Sequence, residues 1–328
     1  MADFTVAIPT YNGEQRLPDV LERLRSQQIY LDALCLKTFS WEVLVVDNNS
    51  QDQTAKVVET FQAEFPCPLR YCLELQQGAA YARNRAIREA ASELIGFLDD
   101  DNLPDLDWVV AAYKFAQTHP CAAAYGSQIR GEFEIEPAAE LQRILPFFAI
   151  TQRGCKPLQY QSRLKVLPPS AGLVVRKSIW VAHVPSQTIL SGRINGSMLT
   201  GEDTEVLAYI LKAGGEIWYD PAMKVTHKIP AWRLNRDYLI PFFRGIGLSR
   251  YVTRMASVQP KQRSLMTIAY MVNDLRKIVF HLVKYRTQVR TNLGIACELE
   301  LFIYSLISPI YLWRHGYLDK SNSTSQPL

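Results

Sequence analysis

The sequence predicts an α/β protein built on a mostly parallel sheet flanked by helices, and three observations carry that expectation. Apolar, β-rich runs alternate with helix-patterned segments four times in the first 120 residues, the rhythm that parallel strands with right-handed crossovers impose. Several of these runs end in polar or acidic residues, at the sheet edge where open α/β folds bind ligands. The 328 residues are 48% hydrophobic and 21% charged, which is enough for one large core or two smaller ones.

The elements follow in order. FTVAIPTY reads as the first strand, and EQRLPDVLERLRSQ behind it places Leu17, Val20, Leu21 and Leu24 at helical spacing. WEVLVVD is a second strand and SQDQTAKVVETFQAEF a helix with Ser50 or Asp52 as its cap. PLRYCLE, the alanine-rich AAYARNRAIREAA and LIGFLD continue the alternation. PDLDWVVAAYKFAQT is expected to open a helix on Pro104, where a first turn tolerates proline. Beyond Pro120, AAAYGSQI, AGLVVRKSIW and GEIWYDPAMKVTH read as strands, and GEDTEVLAYILKAGG as a helix closed by Gly214 or Gly215. After Pro230 the pattern becomes helical, with Leu265, Ile268, Ala269, Val272, Leu275, Val279 and Leu282 at helical spacing. The 13-residue run LFIYSLISPIYLW is shorter than the about 20 residues a bilayer span needs, so a core or interfacial helix is expected there. The alternation over the first 120 residues points to a nucleotide-binding type of fold.

Composition limits the setting. Six cysteines, Cys35, Cys67, Cys72, Cys121, Cys155 and Cys297, form no CxxC pair, so structural disulfides and zinc are not expected. No apolar segment precedes the first strand, which fits a reducing, cytoplasmic location. The net charge of +4 is unevenly spread: residues 228–328 hold 15 Lys or Arg against 5 Asp or Glu, a balance of +10, leaving −6 for residues 1–227. Such a basic module suits nucleic acid, an anionic membrane face or phosphate groups, with plain solvated side chains as the alternative. The tail SNSTSQPL alone has the composition of a disordered segment.

Six constellations carry chemistry. In LIGFLDDDNLPDLDW, Asp99, Asp100 and Asp101 follow a buried strand directly. Three adjacent carboxylates repel one another and gain nothing from packing, so they call for a cation or strong donors, and hard ions such as Mg2+ or Mn2+ bridge carboxylates to a diphosphate. An acidic loop with Asp101 or Asn102 as the next helix cap explains one carboxylate, not three. Thr10, Tyr11 and Asn12 in PTYNGEQ form either a pocket wall or a simple turn on Asn12-Gly13. Asp47 in VVDNNSQDQ is a ribose or base acceptor, or a helix cap. In QQGAAYARNRA a glycine frees the backbone before a helix bearing Arg83 and Arg85, of which at most one can face a phosphate. Glu202 and Asp203 open a helix in LTGEDTEVL, where the dipole favours a carboxylate, as a general base or a cap. His227 in KVTHKIP is a ligand beside an aspartate-bound metal or a satisfied core histidine.

Taken in order, VAIPTYNG, VVDNNSQDQT, GAAYARNRAI, IGFLDDDN, AGLVVRKSIW, LTGEDTEVLAYILKAGGEIWYDP and VTHK resemble a family 2 glycosyltransferase of the GT-A fold over roughly residues 4–230. The resemblance implies a 1–230 catalytic domain, with a 1–120 nucleotide half and a 121–230 acceptor half, followed by a basic helical extension at 231–328. It implies that Pro9, Thr10 and Tyr11 line the nucleotide, that Asp47 and Asn48 meet its nucleoside, and that Arg83 approaches its phosphates. By the same token Asp101 is the principal metal ligand, with Asp99 and Asp100 toward the sugar, Asp99 sharing the metal and His227 completing its shell. Asp203 of the Glu202-Asp203 pair is the implied base. Many relatives carry aspartate where Asn48 stands, and an amide both donates and accepts, which leaves the nucleoside open.

The activity implied is inverting, metal-dependent transfer from a nucleotide-diphosphate sugar to a saccharide or lipid-linked acceptor, in cell-surface or extracellular polysaccharide synthesis. Peripheral contact with the cytoplasmic membrane face through 231–328 is expected, and no nucleic acid. The alternatives are a sugar-phosphate nucleotidyltransferase, which lacks its glycine-rich triphosphate loop here, and a non-catalytic sugar-binding relative. Specificity for sugar, acceptor and linkage is expected in the 126–169 and 186–199 loops.

Overall fold

The computed structural model describes residues 2–27, 39–160, 166–194, 198–256 and 258–318. Cys35, parts of both specificity loops and the polar tail lie outside those residues.

The chain enters through β1 (Phe4–Thr10), α1 (Leu17–Arg25), β2 (Trp41–Asp47), α2 (Thr54–Gln62), β3 (Leu69–Leu73), α3 (Ala79–Glu89) and β4 (Leu94–Phe97). These four strands are parallel in the order β3-β2-β1-β4. The chain winds outward from β1 to β3 and then returns to place β4 on the other side of β1. That reversal is a topological switch point, and the crevice it opens lies outside the carboxyl ends of β1 and β4.

The second half makes the sheet mixed. After β5 (Asn102–Pro104) and α4 (Trp108–Thr118) come β6 (Ala122–Phe133), a 3-10 helix (Ala139–Phe148), β7 (Leu158–Gln159), β8 (Leu173–Arg176), α5 (Lys177–His183), α6 (Glu202–Lys212) and β9 (Glu216–Ile229). β8 runs antiparallel to β4 and β6, β6 is parallel to β9, and β5 and β7 pair antiparallel with β9. Strand alternation splits the core between the two faces. Phe4, Val6 and Ile8 pack with Leu17, Leu21 and Trp108 on one face, while Ala7, Leu44 and Val46 pack with Ile87, Trp180 and Leu207 on the other.

Local outcomes differ from the sequence reading at three points. Pro104 lies in β5 and α4 begins at Trp108, because residues 102–104 pair with β9 before the chain can turn helical. AGLVVRKSIW is strand only to Arg176 and helix from Lys177. The cap of α2 is Gln53, whose side chain does not cap, while Asp52 accepts the Thr54 N–H at 3.1 Å. Gly214, at φ +87°, closes α6 as expected, with its N–H on Leu211 O and that of Gly215 on Ile210 O. The described cysteines are all unpaired thiols.

After β9 the described residues are mostly helical: a 3-10 turn (Ala231–Leu234), α7 (Arg236–Met255), a second 3-10 turn (Pro260–Gln262), α8 (Arg263–Tyr285), α9 (Gln288–Thr291) and α10 (Leu293–Arg314). α10 is 22 residues long and by length and composition suffices to cross a membrane, so the argument from a 13-residue run does not hold. Its Leu301 packs with Phe242 and Phe243 of α7 in an apolar cluster, Ser308 Oγ accepts from Tyr251 N of α7, and Leu312 is buried. One side of α10 thus packs on α7, while Ile307, Ile310 and Trp313 on it stay exposed.

Candidate active site

The site residues that the family resemblance implies line one cleft of about 1040 Å³ at the switch point, Asp47 excepted; Asn12, whose Oδ1 accepts from Gln51 N, stands outside it. The acidic turn sits at its floor. β4 ends at Phe97, Asn102 N–H closes back on Asp99 O at 3.0 Å, and β5 then leaves antiparallel to β9. The register sets Asn102 opposite His227, and Lys228 N–H donates to Asp101 O. Thus an imidazole 126 positions away meets the third aspartate through strand pairing alone.

The three carboxylates have three different partner sets. Asp100 is buried and held by a fork from Arg16, Nε to Oδ1 and Nη2 to Oδ2 each at 2.9 Å, and by Thr10 Oγ1 at 2.7 Å. Burial still pushes its carboxyl upward against the pull of Arg16. Asp101 Oδ2 lies 2.9 Å from Arg233 Nη2 and 3.5 Å from His227 Nε2, and Asn102 Nδ2 donates to Oδ1. Burial works against its charge, yet His227, Arg233 and Arg16 outweigh this and hold Asp101 well below the usual carboxylate range. Asp99 is the most open of the three, with one long 3.4 Å contact from Arg83. Desolvation, aided by Asp101 and Asp100 and opposed by Arg83, pushes its carboxyl up to about 6.

Arg83 organises the opposite side. It is buried on α3, donating from Nη1 to Glu202 Oε1 at 2.8 Å and from Nη2 to Ser170 Oγ at 2.7 Å. Burial opposes its charge, and Glu202 and Asp99 more than restore it. Arg85, two residues on, points away and pairs with Glu89 at 3.0 Å. Asp203, in the first turn of α6 behind the left-handed Gly201, accepts from Ser170 N at 3.1 Å and Thr204 N at 2.6 Å. Burial and then the neighbouring Glu202 raise its carboxyl above the ordinary range. Glu202 Oε2 is buried with no hydrogen-bond partner among the described residues.

The wall beside β1 and β2 departs in part from expectation. Pro9, Thr10 and the 46%-exposed Tyr11 face the cleft. Asp47 does not: Oδ1 accepts from Ser50 N and Oδ2 from Tyr71 Oη, each at 2.8 Å, which makes it the pin of its own loop. Asn48 does line the cleft and uses both ends of its amide. Nδ2 donates to Glu74 O and Gln76 O, while Oδ1 accepts from Gly78 N at 2.6 Å. A carboxylate there would face two carbonyl oxygens with nothing to donate. Gly78 has φ +136° and a Cβ on it would meet Ser191 O at 2.6 Å, so only glycine fits this turn.

Sequence reasoning missed Arg16, Ser170 and Arg233, each of which completes a contact to a predicted residue. Their contacts to the aspartates and to Arg83 span 33 to 132 positions of chain, beyond the reach of local spacing.

The donor set fits a hard divalent ion in part. His227 Nδ1 bonds Phe148 O at 2.9 Å, and a carbonyl only accepts, so Nδ1 carries a proton and Nε2 faces Asp101. Arg233 Nη1 lies 3.0 Å from that Nε2, so a guanidinium spans the space between imidazole and carboxylate. Among the described residues no three His, Cys, Asp or Glu side chains converge as a metal cage, so diphosphate oxygens would have to complete any coordination shell.

The profile of Glycosyl transferase family 2 matches residues 5–171, just over half the chain. The uncharacterized glycosyltransferase YfnE of Bacillus subtilis is 38% identical over 110 residues, covering 34% of this chain and 26% of YfnE. The poly(ribitol-phosphate) β-N-acetylglucosaminyltransferase TarS of Staphylococcus aureus is 30% identical over 119 residues, 36% of this chain and 20% of TarS. These alignments span at most about a quarter of either relative's length. In solved structures, TarS superposes with a TM-score of 0.53 at 15% identity, covering 90% of this chain and 55% of that one. The mannosyltransferase PcManGT of Pyrobaculum calidifontis, in complex with GDP-Man and Mn2+, gives 0.55 at 16% identity, covering 92% and 86%. The fold is therefore GT-A, and the chain belongs to glycosyl transferase family 2.

Proposed function

We propose that the protein transfers a sugar from a nucleotide diphosphate to a hydroxyl of a saccharide or lipid-linked acceptor, with inversion, in building a cell-surface or extracellular polysaccharide. The observation that carries this reading is the pairing, across one cleft, of an acidic turn with a carboxylate at a helix N-terminus. Asp99 and Asp101 lie on the floor and Asp203 in the first turn of α6, with Arg83 between them. TarS is named for a polymer acceptor and PcManGT was solved with a nucleotide sugar, which supports the same substrate class here.

Asp203 takes the proton of the acceptor hydroxyl as that oxygen bonds the anomeric carbon and the bond from this carbon to the diphosphate oxygen breaks. Its raised proton affinity suits a base that must accept at the moment of attack. Attack by the acceptor itself inverts the centre, and no second carboxylate here is assigned as a nucleophile. Arg83 fixes Glu202 and faces Asp99, holding the two walls at one spacing. Asp101, with Asp99 or His227 beside it and diphosphate oxygens of the donor making up the shell, would hold Mn2+ or Mg2+, which supplies Lewis-acid charge to the departing diphosphate when bound. Pro9, Thr10 and Tyr11 flank the nucleoside, while Asn48 and Gly78 shape the turn it rests on.

The far wall is apolar and aromatic, with Phe147, Phe148, Tyr238 and Phe242, and Arg193 stacks over the last two rings. Such a surface suits the faces of an acceptor sugar. We assign the chemistry to residues 1–230, with Arg233, Tyr238 and Phe242 of the extension completing the cleft, and peripheral contact with the cytoplasmic membrane face to 231–328. Turnover of several nucleotide sugars with and without Mn2+, using Asp203→Asn as control, tests the reading. Metal-stimulated release of nucleotide by the parent and none by the variant is expected; tight binding without turnover, across acceptors, would favour a sugar-binding protein instead.

A further inference from the structure

Helix α8 is amphipathic in the inverted sense. Its inward face is the polar one: Asp274 is 1% exposed and forked by Arg254 of α7, and His281 is buried with Nε2 at 3.0 Å from Ile295 O of α10. Its outward face carries Leu265, Ile268, Val272, Leu275, Val279 and Val283, each between 52% and 71% exposed. These positions fall on one stripe of about 27 Å at 1.5 Å per residue. A row of six exposed aliphatic side chains loses the burial free energy that other apolar helices of this chain gain, and a patch of this extent marks a contact surface.

We propose that this outward face of α8 docks on an anionic lipid bilayer, the aliphatic stripe entering the boundary between headgroups and acyl chains. The charge pattern selects the occupant. Residues 261–290 hold seven Lys or Arg, among them the exposed Arg276, Lys284 and Arg286, against one acid, Asp274, which is buried and already paired. A second copy of this face would bring those cations against one another with no carboxylate between them. Anionic headgroups supply the missing charge, and juxtaposed cations and aliphatics are the combination that holds an interfacial helix. The proposal deepens the membrane contact assigned above to 231–328 and needs no turnover to be tested, so its failure leaves the donor site untouched, and the reverse.

The experiment is flotation of the full chain with phosphatidylglycerol–phosphatidylcholine vesicles at low salt, beside phosphatidylcholine vesicles alone. Two double variants, Ile268→Glu with Val272→Glu and Arg276→Glu with Lys284→Glu, change only exposed side chains, and their melting temperatures report that folding is intact. Co-flotation with anionic vesicles only, lowered about tenfold or more by each double variant and weakened by salt, is the expected result. The proposal is overturned by no flotation at low salt, by equal flotation with neutral vesicles, or by light scattering that shows a dimer which Val272→Glu dissociates.

Discussion

Arg83 and Glu202 form a buried ion pair, 2.8 Å from Nη1 to Oε1, that ties the nucleotide-side helix α3 to the helix carrying Asp203. Breaking one half leaves a charge with no water to replace its partner. Arg83→Met is therefore expected to lower stability by about 3 kcal/mol and to abolish transfer. Adding Glu202→Leu should recover most of the stability and none of the activity, which denaturant melts and nucleotide-release assays distinguish.

Asp203 should show itself in the pH profile. Burial and the Glu202 charge raise its affinity for protons, and the base works only when deprotonated. The acid limb of kcat should thus lie above the ordinary aspartate range. Glu202→Gln removes the repelling charge and frees Arg83 to favour the Asp203 anion, so that limb should move to lower pH. A limb that stays in place would exclude Asp203 as the titrating base.

A large part of the fold and site was legible because the signals were local. The strand-helix alternation, the run of residues 99–101, Gly78 and the Glu202-Asp203 pair each sit within a few residues of the element that explains them. What escaped depends on pairing between distant segments. Arg16 reaches Asp100 across a turn and 84 positions, Arg233 meets Asp101 only because β5 pairs with β9, and Pro104 is a strand residue for the same reason. Spacing in α8 gave a helix correctly, but the buried side was the polar one, since Arg254 and Ile295 O wait for Asp274 and His281.

Arg233 places a guanidinium between Asp101 and His227. Its removal should leave a carboxylate and an imidazole facing each other with no cation. In Arg233→Ala, Mn2+ measured by electron paramagnetic resonance without nucleotide should bind more tightly than in the parent protein. Asp101→Ala and His227→Ala should weaken it.

Asn48 donates to two carbonyls and accepts one N–H. Asn48→Asp keeps the shape and loses both donors, so a cost of about 2 kcal/mol is expected, read from chemical denaturation. An unchanged midpoint would show that the amide is not a clamp.

Glu205 lies in the first turn of α6, where burial, set against the N–H groups of Ile189 and Leu190, pushes its carboxyl up to about 7. The folded state holds this proton more tightly than the unfolded chain. The associated stability is complete below pH 4.5 and is lost as pH rises through 7, by roughly 3 kcal/mol. Melting temperatures from pH 4.5 to 8 should fall, and Glu205→Gln should flatten the slope.

Calorimetric titration of UDP, GDP, dTDP and CMP with and without Mn2+, on the parent protein and on Asp101→Ala, measures most directly whether the acidic turn grips a metal-bound diphosphate. One nucleoside diphosphate should bind far more tightly with Mn2+, and the Asp101 variant should lose that gain. Binding that ignores both the metal and Asp101 would contradict it.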